Sequence, residues 1–490
     1  MSSPISSAPR FNWADTFPWL IIFRSLSVAC SATILLFALI GVVATPMGWI
    51  VSERVFLGSE EYLNSHPILA EIAEINRSPY RGVFLATESD QNAITLLGQK
   101  LSGPKLVFEQ TIKPFYAIFG SANTSREFLY FLCGSLWSMV VWAFVGLGIT
   151  RVSLLRYTRN EHAGLDDAFD YAVDYFPTCL AALALPIGFA FLLCIPTFLI
   201  GLMIGFDLGA LLVGIFWFVV LGIALLLGIL LLGLMVSWPL VVSSVAAEGQ
   251  NAFDAITRAF AYVFQRPVHY LFYAMIAVVF GGVCWLVVHE FTDSVVRLSY
   301  WSTSWGANRT GADRIEQFKT PPLKLAPPRI RPENLISRFA PATPQEFTPN
   351  QDAQQQPIET DGIVVGNPQQ PDVGHVTTTI EMPEFADDFE QVASIPQESG
   401  SLKTARSLIH FWSAFAKTVA AAFIHGLFWC MASAIYLLLR KDLDETEMDE
   451  IFMIDERRTY ELPPLQSDEH GIPQVQPIAV EESASGEDQS

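Results

Sequence analysis

The stretch 208–247, LGALLVGIFWFVVLGIALLLGILLLGLMVSWPLVVSSVAA, carries no charged side chain and decides the fold class. A span needs about 20 apolar residues, at about 1.5 Å rise each, to cross a hydrocarbon core of roughly 30 Å. This stretch is nearly twice that long, so either one helix tilts and runs on past the bilayer or two short spans turn inside it. A turn in hydrocarbon leaves peptide groups unpaired at a cost of several kcal/mol each, and no polar turn residue occurs before Ser237. One helix is therefore expected, distorted near Ser237-Trp238-Pro239. There the proline withholds a backbone donor, and the Ser237 hydroxyl or another helix is expected to compensate.

Outward from that stretch, further apolar segments fall at 26–50, 128–150, 178–204, 268–288 and 418–439. The expectation is an all-α polytopic membrane protein with about six transmembrane helices, two cytoplasmic amphipathic helices and long disordered segments. Trp13, Phe17, Trp19 and Arg24 suit an interfacial segment ahead of the first span. Gly201, Gly205 and Gly209 stand four apart across a tight connection, which predicts close hairpin packing of the third and fourth spans. The basic residues beside the spans (Arg151, Arg156, Arg159, Arg258, Arg266, Arg440, Lys441) all fall on one side if 208–247 crosses once. The positive-inside rule then puts both termini in the cytoplasm and the loops 51–126 and 291–405 outside a bacterial inner membrane.

The organisation read from this is an N-terminal interfacial segment and first span (1–50) and an outward loop, partly helical (51–126). A four-span core (127–290), an outward Pro/Gln-rich loop (291–405), the sixth span (406–440) and an acidic cytoplasmic tail (441–490) follow. In the first loop Ile68, Leu69, Ile72 and Ile75 recur at helical spacing until Arg77-Ser78-Pro79. Segments such as KTPPLKLAPPRIRPEN (319–334) and NQDAQQQPIE (350–359) bury too little apolar surface to order themselves.

The 490-residue chain is 51% hydrophobic, more apolar than a soluble domain buries, and a lipid bilayer is its expected partner. A net charge of −20 argues against nucleic acid, which needs clustered Lys and Arg. The six cysteines lie in or beside apolar segments with no CxxC pair, so neither a disulfide framework nor a zinc site is expected. A cleaved signal peptide is not expected either, because Arg24 interrupts the first apolar run and no A-x-A site follows.

Asp167-Ala168-Phe169-Asp170 and Asn251-Ala252-Phe253-Asp254 echo each other. Each opens an amphipathic pattern that leads into the next span through Pro177 or Pro267, and the echo points to duplicated two-helix units of like orientation. In the second copy Phe253, Ile256, Phe260, Val263 and Phe264 make the apolar face, with Asp254 and Arg258 at i,i+4 on the other. The segment SWPLVVSSVAAEGQNAFDAITRAFAYVFQRP (237–267) resembles one found in uncharacterised bacterial multi-pass membrane proteins and, more loosely, the membrane domain attached to some glycerophosphodiester phosphodiesterases. That resemblance implies a membrane-domain architecture and carries no catalytic domain with it.

No motif forms a complete catalytic constellation, and no cofactor or metal is expected. Asp442-Leu443-Asp444-Glu445-Thr446 matches the DxDxT signature of haloacid-dehalogenase-like phosphatases, but fewer than about 50 residues follow, too few for that fold. Asp166, Asp170 and Asp174 share one helical face, more simply solvated than holding a divalent ion. His289-Glu290 lacks the second histidine of a zinc-protease helix. The polar residues singled out are His425, an ionisable group inside the sixth span, with Asp254 and Arg258. The expected function is a non-enzymatic scaffold that binds protein partners through 291–405 and 441–490. The alternatives are a transporter or permease subunit, or a membrane component of lipid metabolism.

Overall fold

The computed structural model describes residues 17–58, 66–78, 80, 84, 101–118, 124–161, 163–307, 400–446, 450–452, 466–467 and 473–474. Most of the Pro/Gln-rich segment and much of the acidic tail, both expected to be disordered, lie outside them. The helices are α1 (Ile21–Ala29), α2 (Ala32–Phe56), α3 (Pro67–Arg77), α4 (Gly103–Ile118), α5 (Ser125–Thr158), α6 (Leu165–Met203), α7 (Asp207–Ile215), α8 (Trp217–Glu248), α9 (Ala252–Gln265), α10 (Pro267–Ala307) and α11 (Gly400–Asp444). A 3-10 turn (Pro18–Leu20) precedes α1, and β1 (Gln466–Ser467) pairs with β2 (Pro473–Gln474) over two residues. Among the described residues six helices (α2, α5, α6, α8, α10 and α11) are long and apolar enough to cross a membrane, and the chain is an all-α multi-pass membrane protein. Its contacts divide it into Met1–Thr303 with Ala414–Ser490, and Ser304–Ser413. The described part of the second unit is helical and partly exposed, with the Phe411 and Trp412 rings edge to face.

The last span runs through the middle of the bundle. From Thr418 to Arg440 nearly every residue of α11 is buried. Its sequence there, TVAAAFIHGLFWCMASAIY, is rich in small residues that let other helices approach on every side. Lipid tails remove the hydrophobic drive between helices, so close packing and interhelical hydrogen bonds hold them together. Trp429 lies against Gly146 of α5, where a Cβ would sit 2.6 Å from its ring. The Ser153 hydroxyl donates to Ser433 at 2.8 Å, and Tyr157 donates to the Cys430 carbonyl at 3.1 Å. By contrast α6 beyond Leu185 and α7–α8 as far as Leu232 turn large apolar side chains outward, Phe198 and Leu225 among them at 67% exposure each, as a lipid-facing hairpin does.

The chain between Asp207 and Glu248 passes the bundle once. Tyr171, at the start of α6, donates to the carbonyls of Val245 (3.0 Å) and Ala246 (3.2 Å), at the end of α8. The expected distortion lies elsewhere, however. Pro239 sits inside a continuous α8, and the helix breaks at Phe216, two residues after Gly214, whose helix preference is weak. Ser237 does not compensate for the proline, since its buried hydroxyl has no hydrogen-bond partner; Tyr270 of α10 donates to the adjacent Val236 carbonyl at 2.9 Å. Of the three spaced glycines only Gly209 meets a close neighbour, with its Cβ position 2.0 Å from the Met203 carbonyl oxygen. The tight contact belongs to the turn and not to a glycine face along the helices.

Two boundaries and one helix face also differ. The first span begins at Ala32, because Cys30-Ser31 separates it from α1, and Ser31 is extended. The first copy of the echo is one helix, α6, continuous through Pro177, whereas the second is broken at Arg266 before α10 begins at Pro267. On α9 the buried face is Ala255, Ala259, Tyr262 and Val263, while Phe253 and Phe264 point outward. Small residues are needed where α9 lies on α8, and large aromatics suit the lipid boundary.

The described residues of the loop 51–126 hold two helices. Its first helix, α3, sits where the Ile68–Ile75 spacing placed it, held to α2 by an ion pair between Arg77 and Glu53. Its second, α4, packs against α10 and α8. Pro104 packs on Gly281 of α10, the Leu101 carbonyl lies against Gly282, and Phe108 stacks on Trp238 of α8 at 6.2 Å. At a rise of about 1.5 Å per residue, Gly281 is about 12 Å along α10 from Tyr273, which bonds Asp442, and Met431 beside it is about 13 Å from Arg440. The first turn of α4 therefore lies inside the bundle, about 12 Å along α10 from the polar end at Tyr273. Its last turn, with Phe115 and Ile118, joins Trp49, Tyr130 and Phe131 at the opposite end. A break in the backbone at such depth is tolerated where protein covers it, and the two glycines of α10 make room for it.

Candidate functional site

The polar residues converge at the end of the bundle where α5, α8 and α11 finish and α6 and α9 begin. Helix α8 ends in the buried run Val245-Ala246-Ala247, followed by Glu248 and by Gly249 at φ +58. A helix end leaves four carbonyls without intrahelical partners, and a buried end must find them elsewhere. Gly249 adopts the left-handed conformation that closes such an end and donates to the Val245 carbonyl at 3.0 Å. Arg151 of α5 donates to Ala246 at 3.1 Å and stacks over the Tyr171 ring at 4.3 Å. Its cation also meets the negative end of the α8 dipole. The Ala247 carbonyl accepts the Phe452 N–H at 2.9 Å.

Glu248 is the hub. Its Oε1 accepts from Arg258 at 2.5 Å and from the Tyr436 hydroxyl at 2.7 Å, lies 3.5 Å from Arg440 Nε, and the carboxylate also accepts from Gln250. Arg258 lies 3.6 Å from Asp444 as well, and Tyr262 donates to Asp444 at 2.5 Å. Burial works against the Arg258 charge, but Glu248, then Tyr436 and Tyr262, outweigh it and hold the guanidinium above its usual range. Burial first, then the Asp444 carboxylate that accepts its proton, raises the Tyr262 phenol, which stays a neutral donor. The DxDxT aspartates are thus helix-end acceptors: Asp442 takes the Tyr273 hydroxyl at 2.8 Å, and Asp444 takes Tyr262. A cavity of about 550 Å³ opens here, lined by Arg159, Glu248, Gln250, Arg440 and the segment 450–452.

Of the residues singled out in the sequence, the structure brings only Arg258 into this cluster. Asp254 is exposed, and Arg258 turns away from it toward Glu248. An i,i+4 pair at the surface gains a few tenths of a kcal/mol, far less than a partner in a half-buried network. His425 lies apart, within α11. Its Nδ1 is 2.7 Å from the Ala421 carbonyl of its own helix, and its ring stacks on Trp142 at 4.9 Å and 11°. Asp166, Asp170 and Asp174 are exposed. Among the described residues no three His, Cys, Asp or Glu side chains are grouped to hold a metal. Glu248, Arg151 and Tyr436 were missed, although a lone Glu-Gly closing a long apolar run is a legible helix-end signal. Compared with known protein families, with characterised proteins and with solved structures, the chain matches none.

Proposed function

We propose that this chain is a non-enzymatic membrane scaffold: a locked six-helix core that holds hydrophilic segments on both sides for protein partners. The observation that carries the reading is the commitment of ionisable groups to internal partners. His425 bonds its own helix, Arg151 closes the end of α8, and Glu248, Arg258, Arg440 and Asp444 bond one another or nearby tyrosines. A site that turns over substrate keeps such groups available. The hydrophilic stretches 308–399 and 453–490 supply partner-binding chain of the composition that folds on binding.

The reading places the protein in a bacterial inner membrane with the Arg151 end of the bundle in the cytoplasm, since Arg151, Arg258, Arg266 and Arg440 share that end. Cysteines placed at Gly164 and Ser490 are expected to react with impermeant reagent only in inverted vesicles. Those at Ser89 and Gln355 are expected to react in right-side-out cells. Gly164 and Ser490 labelled from opposite sides would overturn the orientation.

A second reading, a transporter subunit, is favoured by α4. A short helix packed against α10 and α8, with Glu109 flanked by Lys105 at 3.4 Å and Lys113 at 2.6 Å, is a feature transporters use. One chain separates the two, lacking 310–399 and 453–490 but keeping all six spans. The scaffold reading expects it to lose the neighbours that proximity labelling recovers from the intact chain, and to move no solute when reconstituted. Unchanged neighbours sink the scaffold reading, and solute uptake by the deleted chain establishes the second.

A further inference from the structure

The acidic tail was expected to leave the bundle at Asp442. Instead α11 continues to Asp444, the chain turns at Glu445 (φ 53), and Glu450-Ile451-Phe452 comes back to the end of α8. Among the described residues, main-chain hydrogen bonds hold this strap. Arg440 donates to the Glu450 carbonyl at 2.5 Å, the Phe452 N–H donates to Ala247 at 2.9 Å, and Arg151 donates to the Phe452 carbonyl at 2.7 Å. Between the two anchored residues Ile451 is buried to 5% exposure. The Phe452 ring lies edge-on to Tyr175 at 6.1 Å and over Gly249, where a Cβ would stand 2.7 Å from it.

This is how proteins hold an extended peptide: main-chain bonds give affinity, and pockets for particular side chains give selectivity. Both arginines have reasons of their own to be in place, since Arg151 also caps Ala246 and Arg440 lies beside Glu248. The cleft is therefore built by the bundle, and the strap fills it. Only a short connection joins the strap to α11, so its effective concentration at the cleft is on the order of millimolar. We propose that the cleft formed by Arg151, Arg440, Ala247, Gly249 and Tyr175 is a peptide-docking site, occupied in cis by Glu450-Ile451-Phe452. The chemistry it reads is an extended segment with an aliphatic residue followed by an aromatic one, and its resident ligand is this chain's own.

The test empties the cleft in the full-length chain with Ile451→Asp and Phe452→Asp, both on the strap and outside the helical core. A fluorescent peptide of residues 446–457, TEMDEIFMIDER, is then titrated in detergent and read by anisotropy. The emptied chain is expected to bind it at least tenfold more tightly than the unaltered chain, whose own strap competes. The same peptide with Asp at both positions is expected to bind neither. Binding to neither chain, equal binding to both, or binding of the Asp-substituted peptide would each overturn the proposal. A photo-crosslinking residue in place of Phe452, in an otherwise unaltered chain, provides a second measurement. It is expected to join the Tyr175 or Gly249 region, and crosslinks found only elsewhere refute the docking.

Discussion

A Glu248→Ala chain is expected to be less stable than the parent by about 3–5 kcal/mol, the cost of removing one partner from a buried ionic group. The Glu248 side chain is 8% exposed and that of Arg440 10%, so little water replaces the carboxylate beside Arg440 once it is gone. Arg258 is 33% exposed and can resolvate in part, so most of the loss comes through Arg440 and the stranded Tyr436 hydroxyl. Glu248→Gln keeps an acceptor for Tyr436 and should lose less. Adding Arg440→Met to Glu248→Ala should recover part of the loss, because it removes the uncompensated charge. The measurement is the fraction of protein that remains monodisperse in detergent across a temperature series. A Glu248→Ala chain as stable as the parent would show that the network adds nothing to the fold.

Gly146→Val is expected to cost about 1–3 kcal/mol through overpacking. Its Cβ would meet the Trp429 ring at 2.6 to 2.8 Å, and that ring is 1% exposed, enclosed also by Trp142 and Trp238. The ring has nowhere to go, and a close-packed interior passes the strain to the α5–α11 contact. Trp429→Leu alone also destabilises, by opening a void. In its presence, though, Gly146→Val should cost much less, because the added methyls enter that void. A double-mutant cycle on the same thermal assay reads this coupling. Additive effects would mean that Gly146 and Trp429 do not share the contact described.

Much of the fold was legible because a bilayer leaves few choices. A run such as 208–247 can satisfy its peptide groups in hydrocarbon only as helix, so composition alone gave helix type and approximate span positions. The basic residues beside the spans also marked one end of the bundle correctly: Arg151, Arg258 and Arg440 meet there around Glu248 and the end of α8. The helix at 103–118 was not legible, because the loop 51–126 shows a helical apolar pattern only at Ile68–Ile75. The sequence carries no mark that Gly281 and Gly282, far along the chain, open a groove for it.

What the sequence determined by itself is therefore the solvent and the elements: lipid, all helices, six long spans and a single crossing for the fourth. Those follow from hydropathy and backbone hydrogen bonding, which are local properties of a segment. Only the tertiary structure decided which helix lies at the centre, that α4 packs between α10 and α8, that Arg258 serves Glu248 and not Asp254, and that an acidic tail returns to close the end of α8. Each depends on pairing groups distant in sequence, such as Arg151 with Phe452. The carbonyls left over at a buried helix end can be satisfied by any donor the fold brings near, and periodicity along one segment does not say which.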